Sequence, residues 1–153
     1  MSRSMSFDPT ELISYKRSRF QTRLPKDRLY TASHFWLWQR EPSLWRVGIT
    51  RFATRMLGEI VEHGFEVKPQ QPIHVGQMIG WFEGFKARSD LYCMVDGIFL
   101  GENQAIDSDT TLIDKKPYAE GWLYEARGTA EPKSMAVEGY IEFLNATIDK
   151  MTQ

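Results

Sequence analysis

From Tyr30 to about Arg127 the sequence is a succession of short apolar and aromatic runs broken by Gly and Pro. H-F-W-L-W, W-R-V-G-I, G-E-I-V-E, M-I-G-W-F-E-G-F, L-Y-C-M-V-D and G-W-L-Y-E each have the length and residue types of a strand. One helix is predicted among them. Thr50 is a good N-cap, R-F-A-T-R-M-L follows, and Gly58 is a natural stop; Phe52, Met56 and Leu57 are expected to face inward. A second helix is predicted over residues 134 to 150, with Ser134 as its cap. Val137, Tyr140, Ile141, Leu144 and Ile148 there form one apolar stripe, expected to pack on a sheet. Many short strands and few helices predict a mainly β fold, a small sandwich or barrel with peripheral helices.

The 153 residues suffice for one domain with a real core, and five Trp, six Tyr and nine Phe supply large side chains to fill it. The first 29 residues hold seven Lys/Arg against three acids, a net +4, which leaves -5 on the remainder. The chain thus divides into a basic N-terminal extension (1–29), a β domain (30–127) and a C-terminal helix (128–153). D-P-T-E at 8 to 11 carries a capping signal and predicts a helix from about residue 9 to about 19. The basic start lacks the apolar segment of a secretory signal. With a formal net charge of -1 and no membrane-length apolar run, neither a nucleic-acid nor a membrane partner is expected. The one cysteine, Cys93, fits a reducing, cytoplasmic setting (the mitochondrial matrix in a eukaryote) and is expected to be buried. The three His are widely scattered, so no metal site is expected, and no phosphate loop, nucleophile elbow or acid/base set suggests an enzyme.

The stretch W-F-E-G-F-K-A-R-S-D-L-Y presents Lys86 between two strand-like runs with a carboxylate on either side, Glu83 and Asp90. Centring the connection on Lys86 and Ala87 pairs Trp81 with Tyr92, Phe82 with Leu91 and Glu83 with Asp90. The last is a like-charge pair that costs stability. F-K-A-R lacks Gly and Asn, so a type I turn in a four-residue loop is expected. Residue type alone makes Lys86 a solvated surface lysine.

E-G-F-K-A-R-S-D-L-Y resembles the lipoylation site of the glycine-cleavage H protein family, commonly E-S-V-K-A-x-S-D. Y-T-A-S-H-F-W (30–36), V-G-I-T-R-F-A (47–53), L-G-E-I-V (57–61) and P-Y-A-E-G-W-L (117–123) are similar, in order, to further words of that family. The resemblance implies a barrel-sandwich hybrid, a lipoyl-domain-like fold, with lipoic acid attached to Lys86 through an amide. It implies that Glu83 and Gly97 match positions read by the lipoylating enzyme. Ser33, Phe35 and Asp90 match the cleft that shelters the arm. The F-K-A word disfavours biotin, whose carriers read M-K-M. The implied role is a carrier that performs no catalysis. It shuttles the aminomethyl group of glycine among a PLP-dependent glycine decarboxylase, a folate-dependent aminomethyltransferase and dihydrolipoyl dehydrogenase.

This sequence departs from the pattern at the cleft. Phe35 stands where the family has glutamate, Met94 replaces a proline, and residues 61 to 76 do not match. Two alternatives stay open at this level. One is a paralogous lipoate-binding carrier of another pathway, such as sulfur oxidation. The other is an unlipoylated docking module.

Overall fold

The computed structural model describes residues 11–153. In chain order the strands and helices are β1 (Leu12–Arg17), β2 (Phe20–Pro25), β3 (Leu29–Tyr30), β4 (Phe35–Glu41), β5 (Leu44–Ile49), α1 (Arg51–Leu57), β6 (Ile60–Phe65), β7 (Pro72–Ile73), β8 (Met78–Gly84), β9 (Arg88–Tyr92), β10 (Val95–Glu102), α2 (Gln104–Ser108), α3 (Leu112–Lys115), β11 (Tyr124–Ala130) and α4 (Val137–Met151). Six strands form one sheet in the order β3-β4-β5-β11-β10-β7, and β6-β8-β9 form a second. Leu37, Val47, Ile73, Phe99 and Tyr124 from the first sheet meet Ile60, Ile79, Phe82 and Leu91 from the second in one buried cluster. Alternation delivers one face of each strand to this layer. The arrangement agrees with the expected barrel-sandwich hybrid.

Helix α1 starts where expected. Thr50 Oγ1 accepts a hydrogen bond from the Ala53 amide at 3.4 Å, and Gly58, at φ 77°, ends the helix in a conformation that suits glycine. Phe52 is buried, but Met56 is 45% exposed, against the inward face expected for it. Cys93 is fully buried, as expected; burial raises its thiol pKa, and its Sγ donates to the Val95 carbonyl at 3.1 Å.

The N-terminal helix expected over residues 9 to 19 is corrected. Asp8, Pro9 and Thr10 lie outside the described residues, and residues 12 to 25 form a β-hairpin. Its burial has period two: Ile13, Tyr15, Phe20, Thr22 and Leu24 turn inward between exposed polar neighbours. Ser18, at φ 55°, sits in the two-residue turn. The hairpin is docked. Tyr15 Oη donates to Asn145 Oδ1 at 2.7 Å, Arg17 makes two bonds to Asp149, and the Phe20 ring meets Phe52 edge-on at 5.4 Å.

Helix α4 is also displaced from its expectation. It begins after Ala136, and Ser134 does not cap it. Its stripe of Val137, Tyr140, Leu144 and Ile148 packs in a second core with the hairpin, Tyr30, Trp36, Trp38 and Phe52. It covers the hairpin as well as the sheet edge.

His34 joins this second core. Its Nδ1 lies 2.8 Å from Tyr140 Oη, which is itself 2.8 Å from Thr50 Oγ1, and its ring stacks obliquely on Phe52. Burial pushes the imidazole down from 6.5 to about 4. The unfolded chain therefore takes up a proton as pH falls through 6.5, and the folded chain does so only near 4. Stability falls across that window, by up to about 3 kcal/mol from this group. Glu102, raised from 4.5 to about 6 by burial and its hydrogen bond with Asp107, acts in the opposite direction between those two values. Urea unfolding from pH 7 to 4 should show the wild type losing more stability than His34→Gln, where the Glu102 contribution cancels; parallel profiles would refute it.

Candidate functional site

The turn carrying Lys86 is shaped by a neighbouring backbone segment rather than by turn-forming residues. The Gly84 amide donates to the Ala87 carbonyl at 2.9 Å and closes a four-residue loop. The Phe85 amide donates to the Glu59 carbonyl at 3.0 Å, and the Lys86 amide to the Leu57 carbonyl at 2.9 Å. The segment after α1 thus clamps the tip. Two glycines permit this approach. A Cβ on Gly84 would collide with the Leu57 carbonyl oxygen, and one on Gly58 would lie 2.9 Å from the Lys86 nitrogen. Lys86 itself is exposed, and its Nζ donates to the Arg55 carbonyl at 3.2 Å.

The loop has the expected length but begins one residue earlier, at Gly84, and this changes the register. Trp81 faces Asp90, Phe82 faces Ser89 and Glu83 faces Arg88. The predicted Glu83–Asp90 pair does not exist: Glu83 opposes a cation, and Arg88 also lies over the Trp81 ring at 4.9 Å. The surface is electrostatically matched here.

Ser33, Phe35 and Asp90 come together from three separate places in the chain to line one cavity of about 210 Å³, with Phe82, Ser89 and Tyr92. Phe35 is 4% exposed and belongs to the core. Ser33 Oγ lies 3.0 Å from Thr31 Oγ1. Asp90 is exposed and accepts a hydrogen bond from Tyr92 Oη at 3.2 Å. Asp90 is the one carboxylate in this lining.

Gly97 is elsewhere. It lies in β10, opposite Gly128 and Ile73 in the six-stranded sheet. A Cβ there would collide with the Arg127 carbonyl oxygen, so close backbone approach already requires glycine at this position.

A family model described as Glycine cleavage H-protein matches residues 28–145. The chain belongs to the glycine cleavage H-protein family. It is 37% identical over 124 residues to the glycine cleavage system H protein of Corynebacterium jeikeium, covering 78% of this chain and 95% of that one. It is 33% identical over 122 residues to the protein of the same name from Streptomyces avermitilis, again covering 78% and 95%. Among solved structures it resembles the crystal structure of a glycine cleavage system H protein from Mycobacterium marinum. The TM-score there is 0.70 and the identity 31%, over 78% of this chain and 97% of that one.

The residues of this H-protein-family chain fit a lipoyl group on Lys86. The amine is accessible, the backbone beneath it is fixed by three hydrogen bonds, and two cavities, on different faces of α1, are lined by residues of the hairpin. Sequence reading missed the Gly58–Gly84 clamp and the Tyr92–Asp90 contact. The clamp had one signal, a glycine at the end of an aromatic strand. It also missed a gathering of His63, Glu102 and Asp107, whose ligand atoms lie within 4.8 Å of one another. A His63 Nε2–Asp107 Oδ1 contact of 3.2 Å accounts for it as a side-chain pair.

Proposed function

We propose that this chain is the lipoyl-carrying shuttle of a glycine cleavage system and performs no catalysis of its own. The observation that carries the reading is Lys86, exposed at the tip of a backbone-clamped hairpin in a chain of this family. Residues 30–127 form the carrier domain, flanked by the extension 1–29 and the C-terminal part 128–153. Among the described residues no helix is long and apolar enough to cross a membrane. A single, free cysteine fits a reducing compartment, and we place the carrier in the cytoplasm on that ground. The partners are a lipoylating enzyme, which reads the turn and Glu83, a PLP-dependent glycine decarboxylase, a folate-dependent aminomethyltransferase and dihydrolipoyl dehydrogenase.

When attached, the lipoyl dithiolane supplies the redox-active sulfur that accepts and delivers the one-carbon amine. The protein's part is presentation. Three backbone hydrogen bonds hold the tip still, so a flexible arm sweeps a defined volume and keeps a high effective concentration at each partner. Asp90 supplies negative charge to the Ser33–Phe35 cavity, where an amine at the end of the arm is cationic. Phe35 adds an aromatic wall in place of a second acid.

Intact mass of the protein from its own cell, with peptide mapping of residues 79 to 97, tests the attachment. One lipoyl amide on Lys86 supports the reading. Glycine-dependent loading by the cognate decarboxylase then tests the pathway; lipoylated protein that refuses glycine would redirect it to another lipoyl-dependent system. Asp90→Asn should leave lipoylation unchanged and lower the loaded fraction at equilibrium by roughly threefold to tenfold, the scale of one partly exposed charge contact. An unchanged fraction would remove Asp90 from the cleft.

A further inference from the structure

A second cavity, of about 260 Å³, borders a different face of α1 and includes Lys86 in its lining. Its walls are the β1–β2 turn (Arg17, Ser18, Arg19, Phe20), one face of α1 (Phe52, Arg55, Met56) and the end of α4 (Ile148, Met151, Thr152). The hairpin and residues beyond 145 lie outside the part matched by the family model. Two of the cavity's apolar residues are left in water: Met56 is 45% exposed and Met151 55%.

We infer that this cavity is a berth for the lipoyl arm in its unloaded, uncharged state. Three observations converge. The lysine already points there, since its Nζ donates to the Arg55 carbonyl at 3.2 Å; an amide at the same nitrogen keeps an N–H for that bond. The lining is apolar and soft where an aliphatic chain and two sulfurs would lie, with Met56, Met151 and Phe20 supplying polarizable contacts. The charges also sort the arm. Arg19 and Arg55 flank the berth, Arg17 beside them is already paired with Asp149, and no carboxylate lines the cavity, so forming the amide removes one of three cations there that lack a carboxylate partner among the described residues. Arg19 and Arg55 repel an arm that ends in a cationic amine, whereas the Asp90 cavity attracts it. The unloaded arm therefore rests against the β1–β2 hairpin, and loading moves it to the Asp90 cavity.

This inference rests on the lipoylation of Lys86, and its test separates the two. Methyl-labelled methionine spectra are recorded for the full chain in three forms: unmodified, acetylated at Lys86, and lipoylated at Lys86 with the mass verified. Acetylation removes the charge without adding the arm. The Met56 and Met151 methyl signals should move further on lipoylation than on acetylation. Reduction of the dithiolane by a water-soluble phosphine should be roughly threefold to tenfold slower than for free lipoamide, given the apolar contact area that the berth offers. Met56→Gln with Met151→Gln, two exposed positions, should restore the rate of free lipoamide. Failure of Lys86 to accept lipoate overturns the carrier reading and the berth together. A lipoylated protein with unmoved Met56 and Met151 signals, or reduced as fast as free lipoamide, overturns the berth alone.

Discussion

Lys86→Arg abolishes lipoyl incorporation and with it all glycine-dependent loading, while leaving the fold intact. The physical contrast is narrow, which makes the experiment decisive. Arginine keeps the positive charge, fits an exposed tip and can still donate to the Arg55 carbonyl, the one side-chain hydrogen bond that Lys86 makes among the described residues. What it loses is the chemistry. An amine can shed a proton and attack an activated carboxyl, whereas a guanidinium keeps its proton throughout the accessible pH range. Because the side chain is solvated, unfolding stability should change by no more than about 0.5 kcal/mol. Intact mass after co-expression with a lipoylating enzyme is the measurement, with urea unfolding beside it. A mass increase matching lipoate on the arginine variant would place the arm on another lysine and remove the central assignment.

The parts of the molecule that could be read from sequence are those set by local chemistry. Strands β4, β5, β6, β8 and β9 announce themselves by composition and by flanking Gly and Pro, and α1 by Thr50 and Gly58. By contrast, L-Y-C-M-V-D runs across the break between β9 and β10, G-W-L-Y-E meets only the start of β11, and β7 and most of β10 fall outside the strand-like words. Burial of Cys93 follows from its residue type, and the structure places it in the link between β9 and β10. The failures have a common cause in contacts made far along the chain. At residues 12 to 25 a capping signal outweighed a period-two pattern; pairing with β2 and packing on α4 decide the outcome there. The register around Lys86 depends on where the loop closes. That is fixed by hydrogen bonds to Leu57 and Glu59, more than twenty-five residues upstream. Met56 is apolar at a helical position expected to face inward, and nothing within α1 tells that it borders a second cavity. Ser33, Phe35 and Asp90 came from resemblance alone, since no spacing rule would bring positions 33 and 90 to one cavity.

Gly84→Ala should uncouple the fold from the function through a single methyl group. The added Cβ points at the Leu57 carbonyl oxygen, too close to be accommodated without movement, and lies 2.9 Å from the Leu57 carbonyl carbon. Both are rigid backbone, so the 57–59 segment and the turn must separate. The Leu57 oxygen is also the acceptor for the Lys86 amide, and Glu59 is the acceptor for Phe85. One methyl therefore strains both bonds that orient the lysine. Overpacking of this kind costs about 1–3 kcal/mol of stability. Loss of two backbone hydrogen bonds at about 1 kcal/mol each leaves the presented geometry a minor state, so lipoylation should slow by roughly tenfold to thirtyfold. A general loss of stability could slow modification too, and Leu144→Ala controls for it. Leu144 is fully buried in the second core, its truncation costs about 2–5 kcal/mol, and it touches neither the turn nor its clamp. Initial lipoylation rates at a temperature where both variants are folded should be near wild type for Leu144→Ala and depressed for Gly84→Ala. Equal rates in all three proteins would mean that the lipoylating enzyme does not need a rigid tip; the clamp would then serve the partners that visit the arm, and the same comparison run on glycine-dependent loading would reveal it.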